Sequence, residues 1–554
     1  MRRLRFTVVA AALLALTSCS SQRMEHGAGH APPGGATAAA APVLYDSLGT
    51  YTYRVTTVAE AQRWFDQGLR LVYAFNHHEA QRAFREAVRR DPKCAMCFWG
   101  IAITEGGNYN HPTDAEREQR ALAAIQQAQR LAVHPVERAL IAAVARRHSA
   151  DPAAKRADLD RAYADAMREV ARQFPGDLDV ATMFADAVMN LRPWNLWTPD
   201  GGPEPGTEEI VQTLERVLAR NPNHPGAIHL YIHAVEASTA PGRAEAPADR
   251  LAKLMPGAGH LVHMPSHIYW RVGRYADAVA SNADAVRADR AYFKTATPSP
   301  IYRGLYHPHN IDFIWQSASM QGRSAETLRA AREFADNAPA EMIKQMPDME
   351  TAPVAPIVAL VRFGRWDEVL RYPAPPREWS YTSGVWRYAR GLAFNAKGQA
   401  AEAQGELREL EAILAAVPPE RTVAFFFRAR NVLQLAANVL AGEIAAKAGD
   451  GASAERLLRA AVAEQDTHWF TEPPPWYFPV RHALGAVLLQ LNRAAPAEQV
   501  YREDLRRNPG NGWALFGLAQ SLRAQGKTGD AAAVEAQFQR AWARADVTLT
   551  ASRF

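Results

Sequence analysis

One spacing returns along this 554-residue chain and constrains its fold more than any other feature. Gly68, Ala80, Phe84 and Pro92 follow one another at the same intervals as Gly485, Ala497, Tyr501 and Pro509, more than 400 residues further on. In each stretch a small residue lets a second helix approach, the alanine packs the pair, and the proline cannot continue a helix. Each stretch therefore reads as a helix pair closed by a breaker. A single pair cannot bury its own apolar face, so such units must stack. With more than 500 residues beyond residue 42, the chain has room for several domains or for such an array.

The spacing resembles the 34-residue tetratricopeptide repeat, which has a small residue near position 8, Ala at 20 and 27, and Pro near 32. Counted from residue 61, Trp64, Gly68, Ala80, Phe84, Ala87 and Pro92 fall at 4, 8, 20, 24, 27 and 32. Counted from 478, Leu484, Gly485, Leu488, Ala497, Tyr501 and Pro509 fall at 7, 8, 11, 20, 24 and 32. Units near 350 (Gly364, Trp366), 384 (Gly391, Gly398, Ala403) and 512 (Ala519, Gly526, Ala531) match less fully. The resemblance implies an all-α, right-handed helical-repeat solenoid with several irregular repeats and loop insertions. Two insertions stand out. One carries Trp194-Asn195-Leu196-Trp197 and the Gly/Pro-rich stretch 199–206, and the other, 293–307, carries Pro298, Pro300 and the start of Tyr306-His307-Pro308-His309. Insertions in repeat arrays map to loops on one face and often serve function.

The N-terminus sets the compartment. Arg2, Arg3 and Arg5 precede an apolar run from Phe6 to Leu16, too short to span a bilayer as a mature helix, so residues 1–18 read as a signal peptide. Leu16-Thr17-Ser18-Cys19 resembles the bacterial lipobox, which implies acylation of Cys19 and anchoring to a lipid bilayer. No Asp follows the cysteine, and by the same resemblance this points to the outer membrane and a periplasm-facing protein of the cell envelope. Residues 19–42 form a Ser/Ala/Gly/Pro tether, in which His26 and His30 read as solvated. Beyond it we expect an N-terminal solenoid over 43–345 and a C-terminal one over 346–554. The formal charge of +5 falls to +2 without the three signal arginines, and no long basic run follows, which argues against nucleic acid as a partner.

Repeats starting at 225 and 259 are 34 residues apart with no insertion between them. In the tetratricopeptide family, positions 2, 5, 9, 12 and 13 of the first helix face the concave groove. Carried over, this places His229, His233 and Glu236 at 5, 9 and 12, and His260, His263 and His267 at 2, 5 and 9 of the next unit. The preceding unit offers Asp179, Asp186 and Asn190, and a unit restarted near 308 offers His309, Asp312 and Gln316. Histidines four apart on a helix are spaced to share a cation, and neighbouring helices lie close enough for imidazoles to meet across them. The set suits a transition metal, Zn, Cu, Fe, Mn or Ni, and spacing does not choose among these. Two other readings stand beside it: a polar groove for a protein, peptide or small polar ligand, and packed or solvated histidines.

Apart from Cys19 the only cysteines are Cys94 and Cys97. Outside the cytoplasm such a pair is expected to oxidise, and a structural disulfide, a metal half-site and a redox couple all remain open. Haem c is not expected, because Phe98 stands where CxxCH needs histidine. His77 and His78 lie at the turn inside their repeat, at the opposite end from the cysteines, and His111 occupies the matching turn of the next repeat. Glu472-Pro473-Pro474-Pro475-Trp476-Tyr477-Phe478 reads as a rigid connector or a groove-lining loop.

The blocks Asn76-His77-His78-Glu79-Ala80, Cys94 to Gly100 and Gly259 to Tyr269 resemble those of bacterial tetratricopeptide lipoproteins. That resemblance implies fold and location and supplies no activity. The chain is therefore expected to be an envelope binding or scaffold module with a metal or polar ligand in its groove. The alternatives are a metal-dependent oxidase or hydrolase, with Glu236, Asp186 or Asp312 as general base, and a protein scaffold with incidental histidines.

Overall fold

A computed structural model describes residues 41–468 and 470–554. The signal peptide, Cys19, and the tether up to residue 40 lie outside them. The described residues form helices joined by short turns, with one ribbon pairing Thr422–Val423 with Phe427–Arg428. The fold is all-α and built of tetratricopeptide-like helix pairs. No described helix is long and apolar enough to cross a membrane.

The returning spacing has a physical cause. Phe84, on the helix His77–Arg90, packs against Gly68 of the preceding helix Ala59–Tyr73, where an added Cβ would meet the ring at 2.6 Å. The same ring abuts Gly100 on the following helix, Ala95–Glu105. In the last repeats Tyr501 sits in the same way between Gly485 and Gly517. Each aromatic ring is thus held between two glycines on the flanking helices, and the glycines are what allow three successive helices to touch. Asn76 starts the helix His77–Arg90 by accepting a hydrogen bond from the Glu79 N–H at 3.3 Å.

Two compact units result. One contains the described residues up to Ile268 together with Asp284–His307, and the other contains Tyr269–Ala283 and Pro308–Phe554. Residues 308–345, expected with the N-terminal half, thus fold with the C-terminal one, where the helix Ser324–Asp336 packs on Thr351–Arg362.

Both insertions are ordered. Trp197 donates its indole N–H to the Ala234 carbonyl at 2.7 Å, and Thr207 Oγ1 donates to the Leu196 carbonyl at 2.6 Å, so the first insertion is pinned onto the helix Pro225–Val235. The second is shorter than expected. The helix Tyr275–Thr295 runs into it, and a π-helical turn, Tyr302–Tyr306, leads out, leaving little irregular chain between them.

We expect Gly68→Val to lower the thermal midpoint, because overpacking at such a contact costs about 1–3 kcal/mol. Gly176→Ala, where an added Cβ meets nothing within 4 Å, is the matched control and should leave the midpoint unchanged in the same calorimetric scan.

Candidate metal centre

Five histidines of the first unit converge. His229 and His233 come from the helix Pro225–Val235, His260 and His263 from Gly259–His263, and His267 from Pro265–Arg271. The last two helices are one helix interrupted at Met264, because Pro265 has no N–H to donate back along the ladder. Gly259 opens this segment: a side chain there would strike the carboxylate of Asp289, which accepts from the Tyr302 hydroxyl at 2.9 Å and pairs with His307 at 3.1 Å. All five imidazoles and Glu236 are at most 4% exposed.

Three of the rings have their tautomer set by a partner on Nδ1. His229 Nδ1 lies 2.6 Å from the Tyr73 carbonyl oxygen, which can only accept. His233 Nδ1 donates to Glu236 Oε1 at 2.9 Å, and His267 Nδ1 donates to Glu236 Oε2. In each neutral ring the proton is then on Nδ1 and the lone pair on Nε2, the arrangement found behind metal-bound histidine. The Nε2 atoms of His229 and His233 are buried and have no hydrogen-bond partner in the protein. Burial drives both rings to the neutral form, holding His229 well below its usual range and His233 down to about 3. Neutral imidazole is the ligand form.

One donor atom each from His229, His233 and His260 lies within 4.8 Å of the other two. Ligands bound at about 2.0–2.1 Å must be somewhat closer than that, so these three fit one cation after a small inward adjustment. His233, Glu236 and His267 form a second group within the same separation. By contrast His224, two residues before Gly226, uses both ring nitrogens structurally. Its Nδ1 caps the helix by accepting from the Ala227 N–H at 3.2 Å, and its Nε2 meets Thr182 Oγ1 at 3.3 Å.

Aromatic rings wall the centre. Phe75 stacks on His233 and His260 at centroid distances of 6.0 and 5.7 Å, Tyr306 stacks on His260 at 4.7 Å, and Tyr109 and Trp194 contact His233 at 5.0 and 5.7 Å. Phe75 and Trp194 have φ of 53° and 61°, a left-handed conformation that disfavours side-chain-bearing residues by roughly 1–2 kcal/mol each. Two strained residues thus abut the same imidazole. Trp194 and Tyr306 belong to the two insertions, and Asn110 donates to the Tyr306 hydroxyl at 3.2 Å. Repeat spacing gives no sign of Phe75, Tyr109 or the Tyr73 carbonyl. The only signal for them is position, since Phe75 directly precedes the helix-capping Asn76 and Tyr109 lies in the turn before His111.

Asp179 accepts from the Tyr51 and Tyr73 hydroxyls at 2.7 and 2.6 Å, and burial pushes it up to about 7. Asp186 lines a neighbouring cavity of about 50 Å³ with Arg147, Tyr163 and His77, and burial raises it to about 6. His309 and Asp312 belong to the other compact unit. There Asp312, raised by burial to about 6, accepts from Gln316 at 3.0 Å, and both line a cavity of about 70 Å³ with Trp315 and Pro473–Trp476. Cys94 and Cys97 form a disulfide, fully buried at the start of the helix Ala95–Glu105. His77 and His111 flank Asn108, which approaches His77 Nδ1 at 3.5 Å and pairs with His111 across a backbone bridge.

No family model and no curated protein matches the chain. Among solved structures it is similar to the human IFIT1 dimer with m7Gppp-AAAA, at 8% identity and a TM-score of 0.29, over 88% of this chain and 91% of that one. It is also similar to the Cut9–Hcn1 hetero-tetramer of APC/C, at 12% identity and a TM-score of 0.32, over 86% and 79%.

Asp186 yields a prediction with a definite sign. Its folded-state value of about 6 lies above the unfolded value near 3.9, so its cost to folding is absent at low pH and grows as pH rises between those values. Asp186→Asn should therefore stabilise the protein on the order of 2–3 kcal/mol more at pH 8 than at pH 4. Thermal or denaturant unfolding at the two pH values reads this directly, and equal effects at both would contradict it.

Proposed function

We propose that this chain is a lipid-anchored, metal-binding protein of the bacterial cell envelope, whose helical repeats hold a transition metal among buried imidazoles. One observation carries the reading: the Nε2 atoms of His229 and His233 are buried and without a protein partner, both rings are held neutral by burial, and one donor atom of each lies within 4.8 Å of one of His260. An unpaired buried acceptor costs about 1–3 kcal/mol, and a cation bound by both removes that cost. Imidazole donors suit Zn, Cu, Ni or Fe better than the oxygen-preferring Mg or Ca.

Recognition of a peptide or polar ligand on an open groove fits less well, because the imidazoles are covered by Phe75, Tyr109, Trp194 and Tyr306. The enzyme reading has less support within this unit, because Glu236 is committed through both oxygens to His233 and His267, and Asp186 lines a cavity with Arg147, Tyr163 and His77. The envelope assignment rests on the N-terminal pattern ending in Cys19 and is supported by the Cys94–Cys97 disulfide, which suits an oxidising compartment.

Untagged protein purified without chelator should carry at least one equivalent of transition metal by elemental analysis. The double variant His229→Ala, His233→Ala should carry one equivalent less than wild type while keeping its helical circular dichroism. Reloading the stripped wild-type protein at 100 times Kd should add about 2.7 kcal/mol of stability. Wild-type protein that binds no metal under replete conditions overturns the reading.

A further inference from the structure

We infer that the centre holds two cations, the second between His263 and His267; this rests on the metal-binding reading above. The two Nε2 atoms face each other at 2.8 Å, both rings fully buried or nearly so. Glu236 fixes His267 as the Nδ1–H tautomer, so the His267 Nε2 presents a lone pair to His263. Two neutral imidazoles can meet at that distance only if His263 carries its proton on Nε2 and donates it.

His263 has a second choice. Its Nδ1 faces the Ser266 hydroxyl at 3.4 Å, a group that accepts as readily as it donates. If the proton sits on Nδ1 and is given to Ser266, both Nε2 lone pairs point at one position. The proton changes nitrogen within one ring, so no net charge moves. Opening the pair from 2.8 Å to the roughly 3.3 Å that two nitrogens require around a tetrahedral ion needs only a small side-chain shift.

Glu236 then serves both positions. One oxygen orients His233, whose Nε2 serves the first cation, and the other orients His267, whose Nε2 serves the second. The rings of the two sets are close, with His233 to His267 centroids at 5.4 Å and His260 to His263 at 5.8 Å. The second position takes a divalent ion that favours nitrogen donors.

The test is a Co(II) titration of chelator-stripped, untagged full-length protein with its disulfide intact, followed by visible absorption and equilibrium dialysis. Wild type is expected to bind two equivalents. His263→Ala should bind one, His229→Ala should retain the other, and Ser266→Ala should weaken one site about tenfold while leaving the second unchanged. The serine change is small enough to report even if His263→Ala fails to fold. One equivalent in wild type, or two in His263→Ala, overturns the second site and leaves the first standing. No binding at all defeats the metal reading itself.

Discussion

The carboxylate of Glu236 is the constraint on which the centre depends. It follows the helix Pro225–Val235, at a position that accepts from His233 on its own helix, and its second oxygen reaches His267 on the next repeat. A buried carboxylate is costly unless it is hydrogen-bonded, and here two imidazole N–H groups supply the bonds. The same bonds remove any freedom in where those rings carry their protons. The Tyr73 carbonyl does likewise for His229, so three lone pairs are directed before any ligand arrives.

The fold makes this possible by phase. Helix pairs that repeat without insertion place equivalent positions of successive first helices side by side, and the glycine–aromatic contacts at Phe84 and Tyr501 show how tightly the pairs are held. The insertions then depart from the repeat at the edge of the histidines. Trp194 and Tyr306 come from those departures, and the left-handed backbone at Phe75 and Trp194 is tolerated where it delivers a ring onto His233.

The helix pairs and the clustering of histidines were legible in the sequence because both follow from spacing. A period of 34 fixes which residues share a face, and His229, His233, His260, His263 and His267 lie together as that phase implies. The chemistry of each ring was not legible, since a tautomer depends on which atom lies against Nδ1. Nothing in the spacing distinguishes His224, with both nitrogens used, from His229, with one left over. The carboxylates show the same limit. Asp179 and Asp186 occupy groove-type positions, yet Tyr51 and Tyr73 draw Asp179 away, and Asp186 lines a separate cavity.

X-ray absorption at the metal edge of the Zn-loaded protein tests the central claim most directly. The account predicts a first shell of nitrogen at about 2.0–2.1 Å with the outer-shell scattering of two to three imidazoles per ion and no sulfur contribution, Cys94 and Cys97 being joined in the disulfide. A shell dominated by oxygen, or one with fewer than two imidazoles, would contradict it.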